Sequence, residues 1–275
     1  MLPMTLPATS KLTRVDGTVL RYCLYGQADG YPVVSHGGSP SSRWKRPALI
    51  QSMRQSELSL LVYGRPGYGG SDPPDRMQGG RRGGRCTRPR RRARLGPVCG
   101  LRWLGRRLAR ARLRCAALLA DRVTRCAVLS GIKPGDPGKP SRDEPAMRSR
   151  LAEVAADIMG RIDAGGPELP TEPGPPALDD PDAMARLRAT FIEGMDGWVG
   201  DSLAFARRWG LELATITVPV GIWRGTGDAN VSAEHADYLL AHIATAQRYV
   251  YSGGHLPGPD VYHEIYEWLH TGPRA

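Results

Sequence analysis

Four short apolar runs, each stopping at a glycine-rich turn, constrain what this chain can fold into more than any other feature. Pro32 to Ser35 stops at His36-Gly37-Gly38, and Leu58 to Tyr63 runs into the turn Gly64 to Ser71. Val218 to Trp223 leads into Gly225-Thr226-Gly227, and Arg248 to Tyr251 into Ser252-Gly253-Gly254. Runs this short read as strands, and with Val19 to Tyr25 and Val123 to Leu129 they alternate with helical or turn-rich stretches. That alternation predicts an α/β fold, a mostly parallel sheet with helices on its faces. From Ser141 to about Leu213 the pattern turns helical, with Met147 to Ile162 and Pro181 to Trp209 separated by the proline-rich Gly165 to Pro176. The expected organisation is a core of residues 1–132 and 214–275 interrupted by a helical cap, 133–213. Tyr262 to His270 is expected to close the chain as a helix.

Between the second and third of these sheet segments, Asp75 to Arg114 holds fifteen arginines, one aspartate and no other charged residue. The chain carries +11, so the remaining 235 residues sum to −3 and are mildly acidic. The basic character is therefore local and is not a property of the fold. At 275 residues the chain suffices for one large α/β domain with an insertion. No apolar run reaches the roughly 18 to 20 residues of a membrane helix, and Met1 to Leu12 lacks the apolar segment of a signal peptide, so a cytoplasmic location is expected. The five cysteines, Cys23, Cys86, Cys99, Cys115 and Cys126, form no C-x-x-C pair and indicate neither a disulfide framework nor a zinc site.

The glycine turns carry a resemblance. His36-Gly37-Gly38-Ser39-Pro40 resembles the HGG-type loop that follows the third strand in α/β-hydrolase fold proteins of the capped esterase, lipase and aminopeptidase-like group. Arg65-Pro66-Gly67-Tyr68-Gly69-Gly70-Ser71 resembles that group's D-x-P-G-x-G-x-S turn, with Gly64 where the pattern has aspartate. Gly225-Thr226-Gly227-Asp228 resembles the turn presenting the acid of a catalytic triad, and His255 follows the last strand where the group places its histidine. The likeness covers about 200 residues, Val15 to Val62 and Cys115 to Leu269. It implies Asp228 as triad acid, His255 as base, and Gly38 and Ser39 as oxyanion-loop residues whose N–H groups stabilise a tetrahedral intermediate. Singly, a loop aspartate is an ordinary turn former and a lone histidine an ordinary surface residue; their order and placement at strand ends favour the triad.

The nucleophile is missing. No serine stands in a Gly-x-Ser-x-Gly setting, and Gly96 to Arg114, where the elbow belongs, contains no serine, threonine or acid. Gly200-Asp201-Ser202-Leu203 spells the signature of the GDSL hydrolases, and Asp260-Val261-Tyr262-His263 supplies their D-x-x-H. That family needs its serine after the first strand, whereas Ser202 lies in the helical stretch Asp196 to Trp209. Arginines are also costly in the middle of a sheet: each buried without a partner costs on the order of several kcal/mol, against a domain stability of about 5 to 15 kcal/mol. The segment is therefore expected to loop out, disordered, or to leave the fold incomplete.

A change of reading frame accounts for both anomalies. GC-rich codons for Arg102-Trp103-Leu104-Gly105-Arg106, CGG TGG CTC GGG CGG, become GGT GGC TCG GGC GGC when read one base later, which is Gly-Gly-Ser-Gly-Gly. Carried back to Gly84, the shift permits ADVPALADALGLARFAVSGGSGG, an amphipathic helix, a strand and an elbow in order. The third bases are chosen, so the result is consistency. The expectation is a serine-type hydrolase of an ester, amide or similar bond by descent, inactive as written, with a small-molecule substrate or ligand between core and cap and no metal or cofactor. Two alternatives differ in class: a non-catalytic hydrolase-fold binding protein, and an Arg/Gly segment that contacts nucleic acid. The segment has no interleaved aromatic residue except Trp103, and nucleic acid is not the expected partner.

Overall fold

The structure is a computed structural model. It describes residues 8–14, 16–45, 47–73, 101–107, 109–135, 144–163, 186, 188–192, 194–206 and 209–271. The linker Gly165 to Pro176 and residues 74–100 of the arginine-rich segment lie outside the described residues.

Eight strands form one sheet: β1 (Ser10–Thr13), β2 (Val19–Gly26), β3 (Tyr31–His36), β4 (Leu58–Tyr63), β5 (Leu101–Arg107), β6 (Val123–Gly131), β7 (Val220–Gly225) and β8 (Ala246–Tyr251). Their order is β1-β2-β4-β3-β5-β6-β7-β8. β1 and β2 form an antiparallel pair, β2 is antiparallel to β4, and from β4 to β8 all neighbours are parallel. The helices are α1 (Pro47–Gln55), α2 (Ala109–Leu118), α3 (Glu144–Asp163), α4 (Asp196–Ala206), α5 (Ala233–His242) and α6 (Pro259–Thr271). The fold is thus the expected α/β class, extended at one edge by β1, which the apolar pattern did not reveal because all four of its residues are exposed.

Period-two alternation distributes the strands between two cores. Ala127 and Leu129 of β6 and Trp223 of β7 join Leu60, Val62 and Met53 beneath α1 and α6, where Ile265, Tyr266 and Leu269 are buried. Val128 of β6 and Val220 and Ile222 of β7 face the other cluster, with Leu113 and Ala116 of α2 and Leu239 of α5. Gly221 makes room for this arrangement, since a Cβ there would lie 2.1 Å from the Trp223 ring. Trp223 stacks on Tyr249 at 4.4 Å and meets Trp268 edge-on at 5.0 Å.

The expected looping-out of the arginine-rich segment fails for its final part. Leu101–Arg107 is the central strand, with Val33 to His36 of β3 opposite Arg102 to Gly105 on one side and β6 on the other. Strand pairing uses only backbone N–H and C=O groups, which arginine supplies as well as valine does. α2 follows β5 almost directly, as a helix must after the central strand of a parallel sheet. Between β6 and β7 the chain makes its long excursion through α3 and α4, which pack together and share the ion pair Arg148–Asp196. No helix among the described residues is long and apolar enough to cross a membrane.

Within the first core the Tyr266 hydroxyl is buried with no hydrogen-bond partner among the described residues, and burial pushes its pKa well above the ordinary value. Removing an unsatisfied buried hydroxyl relieves a desolvation cost of about 1 to 3 kcal/mol. Tyr266→Phe is expected to leave the urea midpoint unchanged or raise it, and a fall in the midpoint would contradict this packing.

Candidate active site

Parallel pairing sets the carboxyl ends of β3, β5, β6, β7 and β8 along one edge, and the residues singled out by the sequence lie there. The turns after β7 and β8 are bonded to one another: Thr226 N–H donates to Tyr251 O at 3.0 Å and Gly227 N–H to Gly253 O at 2.8 Å. The approach demands glycine, because a Cβ on Gly225 would stand 2.1 Å from Gly254 O and 2.5 Å from Gly253 O. This contact brings Asp228 and His255 together although 27 residues separate them.

His255 Nδ1 lies 3.0 Å from each carboxylate oxygen of Asp228, whose side chain is fully buried. Asp228 Oδ1 also accepts from the N–H groups of Asn230, at 2.9 Å, and Val231, at 3.0 Å. Burial alone would raise the carboxyl pKa, but the hydrogen bonds from His255 and Val231, the His255 charge and the Ser130 hydroxyl outweigh it and hold the group below its ordinary value. An ionised carboxylate on Nδ1 fixes that nitrogen as the donor, leaving Nε2 as the basic nitrogen.

Ser130 was not singled out from the sequence. It ends β6 with φ of 44°, a left-handed conformation uncommon for serine, and its hydroxyl donates to the His255 carbonyl at 3.2 Å. Tyr251 OH donates to the same carbonyl at 3.3 Å. The signal was slight, a serine before glycine at the end of an apolar strand.

Gly38 and Ser39 follow β3, as expected. His36 is held at the strand end by a hydrogen bond between its Nδ1 and Tyr63 OH. Gly37 has no room for a side chain, since a Cβ would meet Ser41 Oγ at 2.3 Å. The turn Gly64 to Ser71 closes without the aspartate of the resembled pattern. Ser71 Oγ donates to Gly64 O at 2.7 Å and accepts from Arg21 N–H at 3.0 Å, while a Cβ on Gly64 would meet Tyr68 O at 2.6 Å. Arg65 of this turn reaches Asp201 of α4 at 2.6 Å, so the aspartate of the GDSL look-alike serves as the partner of a buried arginine. Burial opposes the Arg65 charge, but Asp201 and the Tyr68 hydroxyl more than offset it and raise its pKa. A small cavity beside the loop is lined by Gly37, Gly38, Lys45, Leu129 and Tyr266 among others.

After β5 nothing nucleophilic is offered. From Leu101 to Leu118 the sequence holds no serine, threonine or acid, and Cys115 lies in the latter half of α2. The edge therefore carries a hydrogen-bonded imidazole–carboxylate pair and a glycine loop, which can accept and orient a proton and present backbone donors. Among the described residues no three His, Cys, Asp or Glu side chains cluster as metal ligands would.

This strand order, with acid and histidine after β7 and β8, defines the α/β-hydrolase fold, and solved structures agree. Over 96% of its length the chain is similar to a hydrolase from Pseudomonas aeruginosa PA01 (18% identity, TM-score 0.64, 98% of that chain). It is similarly matched, again over 96%, to a thermophilic esterase from Thermogutta terrifontis (19%, 0.65, 100%). The enol-lactonase from Burkholderia xenovorans LB400 matches over 95% (16%, 0.64, 100%). No family model matches the sequence, and no curated protein does.

Folding lowers the Asp228 pKa, so the folded state binds fewer protons than the unfolded chain near the ordinary value of 3.8. The stabilisation is therefore present above that pH and fades as the pH falls through the lowered value. Asp228→Asn is expected to destabilise by about 1 to 3 kcal/mol at pH 7, the worth of a charged hydrogen bond. In urea unfolding the difference should narrow below pH 3.8; a gap independent of pH would contradict an ionised Asp228.

Proposed function

We propose that this chain descends from a serine-type hydrolase acting on an ester, amide or similar bond of a small molecule, and that as written it has no such turnover. In this proposal Asp228 is the triad acid, His255 the base, and Gly38 and Ser39 supply oxyanion donors. The supporting observation is the pairing of His255 Nδ1 with both oxygens of Asp228 at 3.0 Å, on the edge where β5 turns into α2 with no hydroxyl to receive the base. His255 would take a proton from a nucleophile through Nε2, Asp228 would stabilise the imidazolium, and the loop would bind the oxyanion. Without the nucleophile the remaining parts lose on the order of 10⁶ in turnover.

The esterase and enol-lactonase named among the structural neighbours support an ester-type substrate class. Residues 133–213 are proposed as the cap over the ligand, in a cytoplasmic protein, and nucleic acid is not proposed as a partner. The composition of β5 supports a displaced reading frame: three arginines in seven residues, beside a β6 that buries eight of nine. With GC-rich third bases chosen for it, the shifted frame permits serine at codon 104, which is consistent with such a displacement. A non-catalytic ligand-binding role would use the same cleft and differs in showing saturable binding without turnover.

Assay of the full chain against p-nitrophenyl esters from acetate to octanoate decides the matter. Hydrolysis at the uncatalysed rate is expected, the same for the parent and for His255→Ala. A rate above background that disappears in His255→Ala would overturn the predicted inactivity. Sequencing the coding DNA across codons 70 to 118 tests the frame, and unaltered bases on both strands would exclude a sequencing error there.

A further inference from the structure

The glycine loop is tied to the inserted helix by a closed ring of polar contacts, buried or partly buried. Asp201 Oδ2, on α4, accepts from Arg65 Nη2 at 2.6 Å and from Tyr68 OH at 2.7 Å. Each of these arms ends on the loop. Arg65 Nη1 donates to Gly37 O at 2.6 Å, and Tyr68 OH lies 3.1 Å from Ser39 Oγ. Arg65 and Tyr68 are buried, at 6% and 0% exposure. The helix is seated closely enough to hold the ring: a Cβ on Gly197 would meet Gly67 O at 2.7 Å, and one on Gly67 would meet Gly197 N at 2.6 Å.

A carbonyl held in place also orients an N–H. In a trans peptide the C=O of one residue and the N–H of the next point to opposite sides of one rigid plane. Arg65 grips Gly37 O and so directs the Gly38 N–H away from itself. Ser41 Oγ donates to Gly38 O at 2.7 Å and in the same way directs the Ser39 N–H. Among the described residues neither N–H has a hydrogen-bond partner. Two adjacent peptide planes are thus fixed from the carbonyl side, with their donors left for something else.

We infer that Asp201, carried by α4, is a positioning residue for the Gly38 and Ser39 N–H groups, acting through Arg65 and Tyr68, with Ser41 fixing the second peptide plane. This rests on the proposed role of those groups as oxyanion donors. The insertion that would cover the ligand then also sets the geometry of the donors beneath it, because one carboxylate oxygen belongs to both. An aspartate that merely neutralised Arg65 would not need the second arm through Tyr68 to Ser39.

The test uses the 15N-labelled full chain and reads backbone N–H order parameters at Gly38 and Ser39. In the parent these should be near about 0.85, as in rigid backbone. Asp201→Asn is expected to bring both below about 0.6, the range of flexible backbone, and Asp201→Glu to restore most of the loss. Ser41→Ala should loosen Ser39 while leaving Gly38 rigid, a pattern that general destabilisation would not produce. Flexible N–H groups in the parent, or rigid ones in Asp201→Asn, would overturn the inference. Should Asp201→Asn not fold, Tyr68→Phe replaces it, with Ser39 expected to loosen and an unchanged Ser39 overturning the inference. Titration of the parent with sodium acetate tests the underlying donor role separately: amide shifts at Gly38 and Ser39 support it, and their absence counts against that role without touching the order-parameter result.

Discussion

Parallel pairing of β3, β5, β6, β7 and β8 is the constraint on which everything else rests. Strands running the same way must end at the same edge, so every loop that follows a strand in this half of the sheet opens onto one shared space. His36 to Ser39, Ser130, Asp228 and His255 are scattered over 220 positions of the sequence and share that edge because their strands run the same way. The sheet survives because both faces are covered, by α1 and α6 on one side and by α2 and α5 on the other. The final approach at the edge is made by backbone: Gly225 lets the turn after β7 touch the carbonyls of Gly253 and Gly254, and the side chains of Asp228 and His255 are carried into range by that contact.

The central strand shows what a sheet does and does not require. A ladder is made of peptide groups, and β5 provides these between β3 and β6 whatever its side chains are. Composition is another matter. β6, with neighbours on both sides and a core on each face, is Val-Thr-Arg-Cys-Ala-Val-Leu-Ser-Gly and buries all but one residue. Its neighbour β5 is Leu-Arg-Trp-Leu-Gly-Arg-Arg, a sequence that no comparable strand in this chain resembles. Among the described strands, pairing geometry and residue chemistry thus part company at β5, between the loop after β3 and Ser130 of β6.

Much of this was legible in the sequence, for identifiable reasons. Val19 to Tyr25, Leu58 to Tyr63 and Val123 to Leu129 announced themselves as short apolar runs, and Asp228 and His255 by following such runs in order. β1 could not be seen, because an exposed edge strand carries no apolar signature. The arginine-rich segment was expected to loop out or to leave the fold incomplete, and its pairing at Leu101–Arg107 was missed because arginine content was weighed and the demand of two flanking strands for a partner was not. The ring around Asp201 was invisible for a different cause: Arg65 and Asp201 are 136 positions apart, and nothing local marks an ion pair made by tertiary packing. Ser130 was hidden in the apolar run whose end it forms.

The edge of the sheet is assembled from separate contributions, each anchored to its own strand. Asp228 and His255 are held by the contact between two neighbouring turns, and the glycine loop by Arg65 and Ser41. None of these anchors runs through the strand-to-helix turn after β5. A site built this way is modular. A change at one strand end leaves the anchors of the others in place, because none of them passes through it.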